Sequence, residues 1–281
     1  MLSVRANFGS GIGLALLAGA LASCLIPPVP PEPLSINLKH PTCATSIAVG
    51  ADNELWVTGC QPLDYGPLGP DYAIFHRRNE VWARTADRAT QIALSPEGVL
   101  WRIDGHGAVF ERNETGVGWR RHEGVCATAI GVGANRRAWI IGCPRSFEVS
   151  YFDGSRWTPL PGAAASQIGV SPEGVPWFIS HDPIDAVRRW NGNGFDKVPG
   201  CGTRIAVGSD GDAWMLTCKP AGARGNAVQH WTGDRWIEVL GLAAVAIAKA
   251  PGGSLWLVDA AGKIFEYSML HEGAQPIITP R

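Results

Sequence analysis

The chain has 281 residues, and 24 Lys and Arg against 25 Asp and Glu leave a formal net charge of -1, which removes the basic groove that salt-dependent nucleic-acid binding needs. Only 17% of residues are charged while 35 are Gly and 21 are Pro, a balance that favours many tight turns over long helices. A 46% hydrophobic share with 12 Trp supplies a core and excludes a disordered chain.

The first element is an export signal. Arg5 gives a positive start, and Gly9 to Leu21 is apolar and rich in Gly and Ala. This run is shorter than the roughly 20 apolar residues a bilayer helix needs, and the Pro-rich stretch from Pro27 to Pro33 cannot extend it. Leu21, Ala22, Ser23 and Cys24 resemble the bacterial lipobox, which implies a signal peptide over 1–23 and diacylglycerol on the Cys24 thiol. Residues 24–33 then read as a Pro-rich, semi-rigid tether between bilayer and domain. An ordinary secretory signal, with Cys24 removed or left as a spare thiol, is the alternative. Both place the domain outside the cytoplasm, on the periplasmic or cell-surface side, and lipidation adds an anchor to a bacterial membrane.

Beyond the tether one pattern recurs: an isoleucine and, nine residues on, a tryptophan. The pairs are Ile47/Trp56, Ile92/Trp101, Ile130/Trp139, Ile168/Trp177, Ile205/Trp214 and Ile247/Trp256. Turn residues stand midway in each, such as SPEG from Ser95 and from Ser171, so each unit predicts a hairpin with Ile facing Trp across the strands. A second aromatic follows in the first five units, at Trp82, Trp119, Trp157, Phe195 and Trp236, again on hairpin strings such as HWTGDRW from His230. Two hairpins in series make one blade. The expected fold is all-β, a six-bladed β-propeller of four-stranded antiparallel blades over 34–270, with a C-terminal tail over 271–281. Leu34 to Lys39 is expected to close the ring as the fourth strand of the last blade, with Pro276 to Pro280 competing for that edge.

Setting Cys24 aside, the cysteines fall as Cys43 and Cys60, Cys126 and Cys143, Cys201 and Cys218, each couple equidistant from the turn of its Ile/Trp hairpin. That register predicts three cross-strand disulfides. Zinc is the weaker reading, because no His stands at ligand spacing and export favours oxidation. The couples occupy blades one, three and five, which predicts three-fold quasi-symmetry. Those blades also carry the long links QPLDYGPLGPDY after Cys60 and KPAGARGNA after Cys218, and these loops are expected to gather on one face.

The strings IAVGADNELW from Ile47, IAVGSDGDAW from Ile205, AIFHRR from Ala73 and RWTPLPG from Arg156 resemble the tectonin repeat of tectonin and tachylectin-like six-bladed propellers, over about Leu34 to Leu270. Phe195 departs from the pattern by replacing the second Trp of blade four. The resemblance implies a lectin-like role toward glycans or lipopolysaccharide.

The repeated Trp residues read as packing between blades rather than as sugar platforms. The histidines recur at no common blade position in the sequence, and no H-E-x-x-H motif or G-x-S-x-G elbow is present. Candidate ligand-binding groups are the polar and aromatic residues of the loop face: Asp64, Tyr65, Tyr72, Asp104, His106, Arg145, His181, Asp182, Arg224 and Asp259. No catalytic residue, metal ligand or cofactor site is assigned. The leading expectation is a non-catalytic, membrane-anchored glycan- or lipopolysaccharide-binding propeller. An extracytoplasmic protein-interaction scaffold, with a membrane-associated protein as partner, is the second, and a propeller lyase or hydrolase the third.

Overall fold

The computed structural model describes residues 43–50, 54–113, 115–181, 186–251 and 253–267. The expected signal peptide, Cys24, the tether, the Leu34 to Lys39 clasp, the tail and Asp182 lie outside the described residues.

Every strand pairing is antiparallel and joins strands consecutive in sequence. The first meander is β1 (Ser46–Val49), β2 (Leu55–Gly66), β3 (Gly69–Arg78) and β4 (Val81–Ala89). The second is β5 (Gln91–Leu94), β6 (Leu100–Ile103), β7 (Val109–Arg112) and β8 (Trp119–His122). A third begins with β9 (Ala127–Val132), β10 (Ala138–Gly142) and β11 (Glu148–Phe152), and ends on the first half of β12 (Trp157–Val170). The second half of β12 opens a fourth meander with β13 (Pro176–Ser180), β14 (Ala186–Trp190) and the first half of β15 (Phe195–Val207). The rest of β15 continues into β16 (Ala213–Pro220), β17 (Asn226–Trp231) and β18 (Trp236–Ala244). The last meander is β19 (Ala246–Lys249), β20 (Leu255–Val258) and β21 (Ile264–Tyr267), three strands among the described residues.

The hydrogen-bonded sheets stay open, and packing joins them. The leading strands lie side by side in turn: β1 beside β5, β5 beside β9, β9 beside β12, β12 beside β15, β15 beside β19, and β19 beside β1 again. The hairpin indoles fill the seams. Trp56 is buried with Ile92 and Leu100 of the second meander, and Trp256 is buried with Ile47 and Val57 of the first. The repeated Trp residues are therefore core between neighbouring meanders, which fits their apolar bulk.

The register corrects one expectation: Ile does not face Trp. Each hairpin closes with a backbone bond across three enclosed residues, as in Ser95 N–H to Val99 O at 3.0 Å and Gly208 N–H to Asp212 O at 2.8 Å. A loop with an odd number of residues turns about a residue rather than a peptide bond, so every pairing moves by one position. Trp56 stands opposite Ala48, Trp101 opposite Ala93, Trp139 opposite Gly131, Trp177 opposite Gly169, Trp214 opposite Ala206 and Trp256 opposite Ala248. Each indole has a small cross-strand neighbour, and Ile lies on the other face of the sheet because side chains alternate along a strand.

The cysteines nevertheless meet, because a bulge returns the register before they are reached. The pairing skips Thr128 in β9 and Thr203 in β15, and Ser166 is skipped at the matching place in β12. A hydroxyl pins each bulge: Thr128 Oγ1 donates to Ile141 O at 3.4 Å, Ser166 Oγ to Ile179 O at 3.3 Å and Thr203 Oγ1 to Leu216 O at 3.3 Å. Cys43–Cys60, Cys126–Cys143 and Cys201–Cys218 are disulfides, each with Cα atoms 5.5 Å apart.

Candidate functional site

The sequence-predicted residues fall in pairs of touching loops, each pair made by a disulfide-bearing meander and the one after it. In the first pair the β2–β3 hairpin leans on the turn after β6, where Leu68 N–H donates to Gly105 O at 3.0 Å. Asp64 stands across from Asp71 in this hairpin. Arg88 links them, with Nη1 at 3.1 Å from Asp64 and Nε at 3.7 Å from Asp71. Asp71, only 2% exposed, accepts Gly105 N–H at 2.9 Å and anchors the second loop to the first. Burial pushes its carboxyl up from the ordinary value. Tyr65 is 73% exposed at the tip, whereas Tyr72 is half-buried.

Asp104 is committed to its own turn, accepting the N–H groups of His106 and Ala108 at 2.9 Å each. His106 is exposed beside it. Gly107 completes the turn at φ +81°, and a Cβ there would stand 2.6 Å from Cys126 Sγ and 2.7 Å from Leu68 Cδ1. Hairpin tip, turn and next disulfide are thus stacked in close contact. In the second pair, Arg145 is exposed at φ +105°, and Phe147 stacks on His181 with ring centroids 4.2 Å apart. In the third, Arg224 O accepts Ala260 N–H at 2.9 Å, while Asp259 is buried and binds the N–H groups of Ala261 and Lys263 at 2.9 Å. Asp104 and Asp259 are turn-formers in equivalent loops, which leaves Asp64, Tyr65, His106, Arg145, His181 and Arg224 as the groups that face solvent.

Two of the histidines do share a position, which the sequence reading did not find. His76 and His230 each stand across from their hairpin Trp, stack on it at 3.9 Å (Trp56) and 4.3 Å (Trp214), and meet the acid two residues before it. That acid is Glu54 for His76 and Asp212 for His230, the latter at 2.7 Å. Burial holds the His76 imidazole below its usual range even though Glu54 favours the cation. These are structural clamps on half-buried rings.

Sequence reasoning missed the cleft between the third and fourth meanders. On the loop face it opens as a cavity of about 400 Å³, lined by Ser146 and Glu148, by Ser180 and Arg188, and by the rings of Phe178 and Phe195. At the opposite end a second cavity, about 630 Å³, is lined by Trp139, Tyr151 and Trp190 with Asp153, Arg189 and Asn191. One aromatic wall separates the two: Trp139 lies 6.1 Å from Phe178 and 6.3 Å from Trp190, and Phe195 lies 5.2 Å from Phe178 and 4.9 Å from Trp190. Hydrogen bonds from the Ser155 hydroxyl and from the backbone of Arg156 and Ser155 lower the Asp153 carboxyl to about 2, so it is ionised throughout the neutral range. Each end therefore offers aromatic rings with a carboxylate and a guanidinium beside them, a lining suited to polyhydroxylated ligands with an apolar face.

No protein-family model matches the sequence, and no curated protein matches it. The solved structures it resembles are β-propellers at low identity. The SapL1 lectin in complex with alpha methyl fucoside superposes with a TM-score of 0.55 at 17% identity, over 80% of this chain and 92% of that one. A gluconolactonase from Xanthomonas campestris gives 0.52 at 13%, over 84% and 94%. YCF48 bound to D1 peptide gives 0.52 at 14%, over 85% and 82%. These likenesses establish a β-propeller fold, which hosts unrelated functions, so function rests on the site.

Proposed function

We propose that the chain is a six-bladed, tectonin-type propeller that binds glycans without catalysis, held to the outer side of a bacterial membrane by an acylated Cys24. The observation that carries the binding is the cleft between the third and fourth meanders, which Phe178, Phe195, Glu148 and Arg188 line together. Rings cover the apolar face of a sugar while carboxylate and guanidinium pair with its hydroxyls, and neither half alone discriminates sugars from other small molecules. The fucoside complex of the SapL1 lectin shows that this fold accommodates a saccharide, and it supports the same class of ligand here.

The cyclic packing of β1, β5, β9, β12, β15 and β19 supports a count of six blades, and our reading assigns residues 34–39, which lie outside the described residues, to the fourth strand of the last blade. The loop face, with Asp64, Tyr65, His106, Arg145, His181 and Arg224, extends the binding surface around the rim toward longer glycans or lipopolysaccharide. The lyase or hydrolase reading has less support: among the described residues neither His106 nor His181 has a carboxylate on its ring to orient it, and Asp182 lies outside them.

A lipopolysaccharide pull-down and a glycan array with the oxidised protein test the proposal. Retention of lipopolysaccharide or of defined oligosaccharides is the expected result. Silence in both, together with recovery of a protein partner by crosslinking in cells, replaces it with the scaffold reading.

A further inference from the structure

The inner strands β1, β5, β9, β12, β15 and β19 surround a central channel of about 300 Å³ whose charge is one-sided. Among the described residues it is lined by two cations, Arg204 and Lys249, and by no carboxylate. Lys249 is neutralised outside the channel lining, since its Nζ lies 3.0 Å from Asp212 Oδ2 and donates to Gly253 O at 2.6 Å. Arg204 is not. Its Nη1 donates to Thr203 O at 2.8 Å, and no acid among the described residues pairs with it. The remaining guanidinium donors are left over, since Arg carries five and has no acceptor.

Arg204 immediately precedes Ile205 in β15, and Ser46, Gln91 and Gln167 hold the same position before Ile47, Ile92 and Ile168 in β1, β5 and β12. Gln167 stands on the adjacent strand β12, while Ser46 on β1 and Gln91 on β5 lie farther round the ring, and all three line the same channel as Arg204. Arg204 is exposed within the channel, and the protein crowded around it pushes its pKa down.

We propose that the channel at Arg204 is a site for a small oxyanion, a phosphate or carboxylate group. The guanidinium fork grips two oxygens, and Ser46, Gln91 and Gln167 supply neutral donors to the others. A cavity of about 300 Å³ holds such a group and several waters, each taking about 30 Å³. The site is separate from the sugar cleft and stands whether or not that cleft binds glycans.

Calorimetric titrations of the oxidised, full-length protein with inorganic phosphate, with acetate and with neutral methyl glycosides test it. Phosphate or acetate is expected to bind, and to raise Tm in proportion to concentration, while Arg204→Gln weakens that binding at least tenfold and Arg188→Gln leaves it unchanged. The arm that binds identifies the oxyanion. Should Arg204→Gln fail to fold, Arg204→Lys, which keeps the charge and loses the fork, is expected to bind the same anion more weakly than the parent. No response to phosphate or acetate in the parent overturns the site, as does undiminished affinity in Arg204→Gln or Arg204→Lys.

Discussion

The indole of Trp101 meets the indole of Trp157 edge-on, with ring centroids 6.4 Å apart. The two residues belong to meanders that share no strand ladder, so this contact is part of what joins them. Trp157 also reaches His122 through Nε1 at 3.2 Å, and His122 stacks on Trp101 at 4.8 Å. Because Trp101 is fully buried, Trp101→Ala is expected to cost about 3–5 kcal/mol. Chemical denaturation measures this, and Trp157→Phe, which keeps a smaller aromatic ring and loses the indole N–H bonded to His122, should cost distinctly less.

The disulfides are expected to contribute stability to the hairpins they close. With a sequence separation of 17, replacing both Cys126 and Cys143 by Ser should cost about 3 kcal/mol on the loop-entropy model. The loss belongs to the oxidised protein alone. Thermal melts with and without reductant check this, since the double variant and the parent should converge when all disulfides are reduced.

The bulge hydroxyls act locally. Thr203→Val keeps the shape of the side chain and removes the hydroxyl that bonds Leu216 O, for an expected cost of about 0.5–1.5 kcal/mol. Hydrogen exchange should show the faster opening confined to β15 and β16 next to Cys201–Cys218. Opening that spreads through all meanders equally contradicts a local role.

Stability should fall in acid with a recognisable source. Burial opposes ionisation of Glu111, but hydrogen bonds from His122 and Arg136 and the charge of Arg120 hold its carboxyl below the ordinary 4.5. A depressed carboxylate contributes stability that is fully present above 4.5 and is lost as pH falls through the folded value. His76 adds to the same limb, since its imidazole is held below 6.5 and the folded state resists the proton that the unfolded chain accepts. Unfolding free energy measured from pH 7 to pH 3 should therefore decline, with a shallower acid limb in Glu111→Gln, which is less stable at pH 7.

The anchor is tested separately. Cys24→Ser is expected to abolish incorporation of labelled fatty acid and release the protein from the membrane fraction. Unchanged labelling contradicts lipidation at Cys24.

Much of the fold was legible because it repeats. Turn residues midway between Ile and Trp placed the hairpins, and equal cysteine spacing paired all three disulfides. The register was not legible, since the parity of a loop depends on backbone hydrogen bonds that the Gly and Pro content leaves open. Neither were the bulges at Thr128 and Thr203, where a small hydroxylated residue before the Ile is a signal visible only afterwards. The cleft escaped for another reason. Glu148, Phe178, Arg188 and Phe195 lie in strands of two different meanders, whereas the signals legible in the sequence mark loops. Their side chains converge only when the third meander packs beside the fourth.

Glycan recognition in that cleft is measured most directly by comparing the oxidised parent with Glu148→Gln/Arg188→Gln on one glycan array, with thermal melts of both. The predicted result is defined saccharide binding by the parent, weakened at least tenfold in the double variant while Tm stays within a few degrees. Equal signals from the two proteins, or none from the parent, contradict it.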